Sequence, residues 1–297
     1  RLDNMVILNH PQVSGHHARL ERLHDGAYRI VDLHSTNHVY VNGQRVRRQV
    51  LKPGDEIGIG PYELTYTGTE LTSQGEGRGI RIDALHLKTR GKHWRVLLHD
   101  ISLDIPSGSF VALLGGSGVG KSTLLDALSG LRPARRGVVL YNGQDYYRHL
   151  DAFNTQLGYL PQDDIIHSRL TVQKALYYEA RLRLPSDFTR GQIKDRINEV
   201  LEDVEMTHRR GAMIRNLSGG ERKRASLALE LLANPSVFFL DEPGASLDPG
   251  LDLKMMRLLR KLSDKGHTIV LVTHSTTNVD LCDRLCFLTN GGRLAFY

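Results

Sequence analysis

Residues 115–122, GGSGVGKS, decide the fold of this 297-residue chain. They match the pattern G-x-x-x-x-G-K-[S/T], follow an apolar run at 110–114 and open a helix-like stretch at 123–131. Glycines let backbone N–H groups curl around phosphate, and the N-terminus of a helix favours negative charge. Strand, glycine loop and helix in this order predict a phosphate-binding loop in an α/β domain. The alternative is a glycine-rich turn that happens to precede a lysine, which the flanking strand and helix disfavour.

Two side chains of this loop carry its chemistry. Lys121 is expected to pair with the β and γ oxygens of a nucleotide, and the Ser122 hydroxyl to bind Mg²⁺. ATP and Mg²⁺ are therefore the predicted cofactors. The residues expected to hold the nucleotide are Gly115, Gly116, Ser117, Gly118, Val119, Gly120, Lys121, Ser122 and Thr123.

Polar side chains also follow two other apolar runs. Residues 237–240, VFFL, are apolar throughout, as in a parallel strand buried on both faces, and Asp241 and Glu242 come next. Open α/β sheets place ligands at this edge. We expect Asp241 to bind Mg²⁺, Glu242 to be the base that polarises the attacking water, and His274, after the run 269–272, to contact the γ-phosphate. The plain alternatives are an acidic surface loop and a structural histidine.

Gln162 follows the short stretch 158–161, GYLP. By the same reasoning its side chain is expected to reach Mg²⁺ and to report the presence of the ion to the next segment. Taken alone, a glutamine after a proline means little.

The segment 217–221, LSGGE, narrows the prediction to one family. Ser218, Gly219 and Gly220 precede a helix-like stretch at 221–232, so a hydroxyl, bare N–H groups and a helix dipole form a second anion site. With this motif, residues 80–297 resemble the nucleotide-binding domain of ABC (ATP-binding cassette) ATPases, which is an α/β P-loop NTPase fold with a helical subdomain, here at 163–232.

The resemblance implies a role for each segment. Residues 115–122 are the Walker A motif, Gln162 the glutamine loop, 217–221 the signature, 237–242 Walker B, 245–248 the D-loop with Asp248, and His274 the switch histidine. In this family the signature grips the γ-phosphate of the nucleotide held by the other subunit. Since one chain has one Walker A and one signature, a complete site needs two chains, and a homodimer is expected.

Within the family the chain looks most like subfamily G, whose nucleotide domain precedes a membrane domain. The segments that carry this likeness are 161–164 (PQDD), 170–172 (LTV), 181–185 (RLRLP), 217–224 (LSGGERKR) and 230–232 (ELL). The resemblance implies a transmembrane partner, on the same polypeptide or on another, that would contact residues 163–170.

Two departures from the subfamily pattern are visible. Residues 244–248 read GASLD where the subfamily usually has Thr-Ser-Gly-Leu-Asp. The aromatic residue that normally stacks on adenine should fall near residues 88–90, and none is there; Trp94 or the Arg90 guanidinium could substitute.

The first 70 residues predict a separate all-β sandwich. Short alternating runs are punctuated by turn dipeptides such as Asn42-Gly43 and Pro53-Gly54. Residues 71–79, LTSQGEGRG, are polar and glycine-rich and read as a linker to the second domain. The chain is therefore expected to be a multidomain protein with this order: sandwich at 1–70, linker at 71–79, ATPase domain at 80–297.

The sandwich resembles a forkhead-associated (FHA) domain, a phosphothreonine-binding fold. Ser14-x-x-His17 matches one of its motifs, and residues 32–37 followed by 40–43 match the second. The resemblance implies that Arg1, Ser14 and Thr36 bind phosphate, that Asn37 holds the ligand backbone and that His17 braces the loop. If so, the opening strands of the domain are absent from the sequence.

Two positions depart from the FHA pattern. Gly15 lacks the phosphate-binding side chain often found there, and His38 replaces a common glycine. The alternative interpretation is a sandwich kept only for docking or spacing.

Composition agrees with this organisation. With 39 Lys and Arg against 33 Asp and Glu, the net charge is +6, which suits ATP and an anionic membrane surface without requiring nucleic acid. The basic run 222–224 is interpreted as a solvated helix face. No stretch approaches 18 apolar residues, so a membrane domain would lie outside this sequence and the chain would sit at the cytoplasmic face of the membrane.

Three functions remain open at this point. The first is the ATP-hydrolysing motor of a subfamily G-like exporter, regulated through phosphothreonine recognition by the FHA domain. The second is a soluble ABC ATPase acting on DNA or ribosomes, although tandem cassettes and long coiled-coil insertions are missing. The third is a signalling scaffold with a degenerate ATPase, against which intact Lys121, Asp241, Glu242 and His274 argue.

Overall fold

The computed structural model describes residues 4–73, 79–91, 95–163, 165–245 and 247–297. The first of these ranges folds as an antiparallel sandwich of two sheets, with strand orders β1-β2-β5 and β4-β3-β6-β7-β8. The strands are β1 Ala18–Arg22, β2 Tyr28–Asp32, β3 Val39–Val41, β4 Gln44–Val46, β5 Arg48–Val50, β6 Glu56–Ile59, β7 Tyr62–Tyr66 and β8 Leu71–Ser73.

Alternation of apolar residues builds the core of the sandwich. Ile30, Val39 and Ile57 point inward and are almost completely buried. The tight turn between β3 and β4 is made by Asn42 and Gly43 with positive φ of 50° and 73°, the conformation that an Asn-Gly hairpin turn requires. Residues 71–73, predicted as the start of the linker, instead pair with β7 as β8, because Leu71 packs on this core.

The rest of the chain contains two sheets. An antiparallel sheet has the order β10-β9-β12-β13, and a mixed sheet has the order β14-β15-β16-β11-β17-β18, in which the strand pairs from β14 to β17 are parallel and β18 is antiparallel to β17. The strands are β9 Ile82–Arg90, β10 Val96–Ile105, β11 Phe110–Leu114, β12 Arg136–Tyr141, β13 Gln144–Asp145, β14 Leu157–Leu160, β15 Val237–Asp241, β16 Thr268–Val272, β17 Arg284–Thr289 and β18 Arg293–Phe296.

Helices flank the mixed sheet and form the subdomain between Gln162 and the Walker B strand. They are α1 Lys121–Leu128, α2 Leu150–Phe153, α3 Val172–Arg183, α4 Arg190–Asp203, α5 Gly219–Leu231 and α6 Pro249–Asp264. Helix α4 has one apolar face, whose side chains are buried against α3 and α5. The α4 helix begins with a capping box between Thr189 and Gln192.

The parallel strands set the position of the candidate site. β11 and β16 are buried at every residue, and β15 at all but its last, so each reads as a continuous apolar run. Their carboxyl ends meet at one edge of the sheet, where the chain continues into the glycine loop, the Asp241-Glu242 pair and His274. In the described ranges, no helix is both long and apolar enough to cross a bilayer.

The sandwich packs directly on the second domain. Gln12 is buried, and its side-chain amide donates to the carbonyl oxygens of Thr155, at 2.6 Å, and Ala233, at 3.0 Å. The Tyr40 hydroxyl donates to the carbonyl of Asp151 at 3.0 Å. These contacts reach the segments that lead into β14 and β15, so the sandwich touches the chain just before two strands of the candidate site.

Candidate functional site

The glycine loop between β11 and α1 has a backbone that only glycine adopts easily. Gly115, Gly118 and Gly120 have φ values of 144°, 74° and 111°. A Cβ atom at Gly115 would collide with the carbonyl oxygen of Leu288, and one at Gly120 with that of Leu97. The loop therefore curls around the N-terminus of α1, and a glycine loop in this position is a typical anion site.

Lys121 holds its ammonium group over this loop. The side chain is buried, and Nζ donates to the carbonyl oxygens of Gly115, at 2.9 Å, and Gly116, at 3.0 Å. Arg95, which the sequence did not single out, lies 3.5 Å from the Gly118 carbonyl through Nη2. Two cations thus border the loop, and positive charge at this position attracts a polyphosphate.

Ser122 and Asp241 come together from two elements. The Ser122 hydroxyl donates to Asp241 Oδ1 at 3.3 Å. Burial raises the pKa of Asp241; the Ser122 hydrogen bond lowers it, and the neighbouring Glu242 and Asp126 carboxylates raise it further. A hydroxyl and a partly buried carboxylate are oxygen ligands of the kind that Mg²⁺ prefers, so the pair fits a magnesium site.

Glu242 and His274 form a second pair beside the first. Glu242 has a positive φ of 50°, and its N–H donates to the carbonyl of Val272 at 2.9 Å, which fixes the side chain at the edge of the sheet. Glu242 Oε2 lies 3.3 Å from His274 Nδ1. The histidine side chain is 63% exposed and the glutamate 20%, so the open face of the pair is toward solvent.

Lys223 corrects the interpretation of residues 222–224 as a solvated face. Its side chain is only 6% exposed, and Nζ donates to the carbonyl oxygens of Gln162 and Pro161. The spacing along the sequence indicates this burial, since Lys223 lies three residues after Gly220 and four before Leu227 on the buried face of α5. The lysine therefore ties the glutamine loop to the signature helix, while Gln162 itself is exposed.

Ser218 caps the signature helix. Its hydroxyl accepts from the Glu221 N–H at 3.3 Å, and Glu221 Oε2 accepts from the Ser218 N–H at 2.9 Å, which completes a capping box. Two donors to the Glu221 carboxylate lower its pKa: the Ser218 N–H first, and Arg209, which donates to Oε1 at 2.7 Å. Cβ atoms at the two signature glycines, Gly219 and Gly220, would touch the side chains of Leu247 and Leu251. The signature thus packs on the D-loop and the start of α6.

Asp248 has a structural contact of its own. Its Oδ1 accepts from the N–H groups of Gly250 and Leu251, both at 3.0 Å, and so caps α6. The departure at Gly244 also has a local reason, because a Cβ there would collide with the Asp252 carboxylate. Asp252 is held by Asn278, whose side-chain amide donates to Oδ2 at 2.9 Å.

The predicted phosphopeptide residues lie on two neighbouring loops of the sandwich. His17 is buried, accepts from the Ser14 N–H at 3.1 Å through Nδ1 and bonds the His38 carbonyl at 2.9 Å through Nε2, so it braces both loops. The Ser14 hydroxyl accepts from the Thr36 N–H at 3.2 Å. Asn37 donates to the Gln12 carbonyl at 2.7 Å.

Other predicted positions are placed as follows. His38 has a φ of 62°, the conformation of the glycine it replaces. Arg1 and Trp94 lie outside the described residues. Arg90 ends β9, paired with Val96.

Comparison with known proteins assigns both parts of the chain. The family described as ABC transporter matches residues 98–245, and the FHA domain matches residues 1–60. The chain is 39% identical over 299 residues to the ABC transporter ATP-binding/permease protein Rv1747 of Mycobacterium tuberculosis, covering 99% of this chain and 34% of that protein. It is 36% identical over 209 residues to ABC transporter G family member 22 of Arabidopsis thaliana, covering 67% of this chain and 27% of that protein.

A solved structure supports the same assignment. The cbiO1 protein from Clostridium perfringens, described as part of the ABC transporter complex cbiONQ, superposes with a TM-score of 0.67 at 26% identity, over 72% of this chain and 86% of that chain. The chain spans about a third or less of the two curated relatives, and the fold class predicted from the sequence is confirmed. The chain therefore belongs to the ABC transporter ATPases, resembles their G family, and carries an FHA domain ahead of its ATPase domain.

Proposed function

We propose that this chain hydrolyses ATP to drive a G-family-like membrane exporter, and that its FHA domain regulates the motor by recognising phosphothreonine. The observation that carries the catalytic part is the meeting of the Ser122–Asp241 pair and the Glu242–His274 pair at one edge of the sheet. A soluble ATPase and a signalling scaffold remain the alternatives.

The residues have distinct roles in this proposal. The glycine loop and Lys121 bind the phosphates, while Ser122, Asp241 and Gln162 hold Mg²⁺. Bound ATP with its Mg²⁺ would supply the γ-phosphoryl group, which passes to water as the bond to the β-phosphate breaks and ADP leaves. Glu242 would accept a proton from that water at its carboxylate, and His274, 3.3 Å from Oε2, keeps the carboxylate oriented and would contact the γ-phosphate.

A second copy of the chain completes each site. The groups that the second copy contributes lie on the helical subdomain and the D-loop: Ser218, Gly219, Gly220 and Asp248. Ser218 caps the N-terminus of α5, which is the positive end of the helix dipole. In the dimer these groups bind the γ-phosphate held by the Walker A loop of the other copy. This arrangement makes ATP binding the event that joins the two chains.

The proposed partner is a transmembrane domain. The relatives include an ABC transporter ATP-binding/permease protein, and cbiO1 is part of an ABC transporter complex. We place the coupling surface at residues 163–170, after Gln162, and the chain at the cytoplasmic face of the membrane.

The FHA domain is the proposed regulatory input. Ser14 and Thr36 meet through a hydrogen bond, and the buried His17 braces the loops that carry them. This arrangement brings the hydroxyls of Ser14 and Thr36 onto neighbouring loops, and hydroxyl groups of this kind bind a phosphate monoester. With Arg1 and Asn37, these residues are proposed to bind a phosphothreonine peptide.

The catalytic proposal is tested by Glu242→Gln and Lys121→Ala. Glu242→Gln is expected to keep ATP binding but to lower hydrolysis by about 10²-fold or more, because the general base is lost. Lys121→Ala is expected to weaken ATP binding itself. Nucleotide titration and steady-state phosphate release measure the two effects, with Glu202→Gln on the exposed face of α4 as the control. Wild-type turnover in Glu242→Gln would remove Glu242 from the mechanism.

A further inference from the structure

The turn between α3 and α4 touches the phosphate-binding loops of the FHA domain. The Gly15 N–H donates to Asp187 Oδ2 at 2.7 Å. One residue earlier, the Ser186 N–H donates to the Thr36 hydroxyl oxygen at 3.2 Å. Two consecutive residues of the helical subdomain are therefore held by the two loops that carry the proposed phosphothreonine site.

The chemistry of this contact resembles that of the proposed ligand. A carboxylate offers negative charge and acceptor oxygens to a backbone N–H, as a phosphate does. The charge of Asp187 also acts on His17, the residue that braces both loops. Burial lowers the pKa of His17, and the Asp187 carboxylate is among the groups that oppose this shift. Asp187 thus interacts with the site through both a hydrogen bond and its field.

The position of Asp187 is fixed by its own subdomain. It lies two residues before Thr189, whose capping box with Gln192 starts α4. Pro185, just before the contact, is buried, while Ser186 and Asp187 remain exposed at the surface of the turn. The turn therefore presents the carboxylate as a preformed ligand, which reduces the entropy lost on binding.

We propose that Asp187 is an internal ligand of the FHA phosphate-binding loops, so that the helical subdomain and a phosphothreonine peptide compete for the same groups. This inference rests on the proposed phosphothreonine recognition. The subdomain occupies the Gly15 N–H through Asp187 and the Thr36 hydroxyl through Ser186, and the Thr36 hydroxyl is among the groups proposed to bind the phosphate, so the two ligands compete at these loops. A bound phosphopeptide would detach the FHA loops from the subdomain that carries the signature motif.

The test uses the whole chain and a fluorescein-labelled pool of degenerate peptides with one fixed phosphothreonine. Fluorescence polarisation compares the wild type with Asp187→Ala, which removes the acceptor, and Asp187→Asn, which removes the charge. Apparent affinity is expected to rise about tenfold in Asp187→Ala and less in Asp187→Asn, because the internal ligand no longer reduces the fraction of open sites. Asp195→Asn, an exposed carboxylate on α4, is the matched control and should bind as the wild type does.

The outcomes separate this inference from the function on which it rests. Equal affinity of the wild type and both Asp187 variants for the phosphorylated pool would overturn the competition and leave phosphothreonine recognition standing. If no protein prefers the phosphorylated pool over the same pool with threonine, both proposals fail.

Hydrogen exchange supplies a second readout without peptide. Residues 14–17 should exchange faster in Asp187→Ala than in the wild type and in Asp195→Asn, because the hydrogen bond from the Gly15 N–H to the Asp187 carboxylate is lost. Unchanged exchange in these residues would overturn the internal contact itself. Unchanged ATP binding by Asp187→Ala shows that the ATPase domain remains folded.

Discussion

At the scale of single residues, the ammonium group of Lys223 joins two functional segments, the glutamine loop and the signature helix α5. Lys121 follows from the glycine-loop motif, and Asp241 and Glu242 follow from their position at the end of an apolar run. Lys223 does not, because a lysine in a basic run looks solvated until the packing of α5 is known. Its ammonium group is buried against the carbonyls of Pro161 and Gln162.

Lys223→Met tests the role of this contact. Methionine keeps an apolar stem of similar length but cannot donate, so the Gln162 carbonyl loses a charged donor, at a cost of about 1 to 3 kcal/mol in the free energy of unfolding. ATP hydrolysis should fall more than ATP binding, because the glutamine loop is no longer tied to the signature helix. Phosphate release and denaturant unfolding measure the two effects.

The control for this prediction is Lys261→Met on the exposed face of α6. It removes the same charge without a buried partner and should leave both hydrolysis and stability close to wild type. Equal hydrolysis and equal stability of the two variants would contradict a role of the buried Lys223 contact in either property.

At the scale of elements, strands were predicted more accurately than helix starts. The apolar run 110–114 coincides with β11, and 237–240 with β15 except for one residue. Helix α5 begins at Gly219 rather than 221, and α1 at Lys121 rather than 123. Glycines in sequence suggest that a helix has not yet begun, so the two helix starts were predicted too late. In the structure α5 begins directly after the capping Ser218, and α1 directly after Gly120, which has a left-handed conformation.

The exposed start of α5 supports a prediction about sharing of the site between chains. Lys121→Ala and Ser218→Arg should each abolish most hydrolysis, since one removes the phosphate clamp and the other fills the anion site with a bulky cation. Mixed together, the two variants should form heterodimers with one intact site and one doubly damaged site. Phosphate release by the mixture should exceed that of either variant alone.

The control is each variant mixed with itself at the same total concentration. Full hydrolysis by Ser218→Arg alone would contradict a site shared between two chains, because the signature would then be dispensable.

At the scale of the whole molecule, the sequence predicted two domains but not that they touch. The contacts between them, such as Gln12 with Thr155 and Ser186 with Thr36, join residues 143 and 150 positions apart. No local periodicity or motif encodes such pairs, because each partner is set by the folding of its own domain. The end of the sandwich differs from the predicted residue 70 for the same reason, because Leu71 packs on the sandwich core.

This interface makes stability depend on pH. His10 of the sandwich pairs with Asn234 of the ATPase domain at 2.9 Å, and burial lowers its pKa from 6.5 to about 4. Between these values the unfolded chain binds a proton that the folded chain does not, so stability falls as the pH falls through this window. From pH 7 to pH 5 the free energy of unfolding should drop by about 2 kcal/mol from this group.

Urea unfolding of the wild type and of His10→Gln at pH 7 and pH 5 gives the free energy of unfolding at each pH. The difference between the two proteins in its change with pH measures the contribution of His10. The loss of stability on acidification should be smaller in His10→Gln. His24→Gln, at an exposed turn, is the control and should follow the wild type. Parallel pH dependence in the wild type and His10→Gln would contradict the assignment to His10.

The buried Gln12 has a consequence for how this chain can be divided. Its amide satisfies two backbone carbonyls of the ATPase domain, ahead of β14 and ahead of β15, and the side chain is 1% exposed. An ATPase domain cut free at residue 79 would uncover the surface around Thr155 and Ala233 that Gln12 now shields, next to the strands that carry Gln162 and Asp241. The smallest piece that retains the native surroundings of the catalytic strands therefore includes both domains.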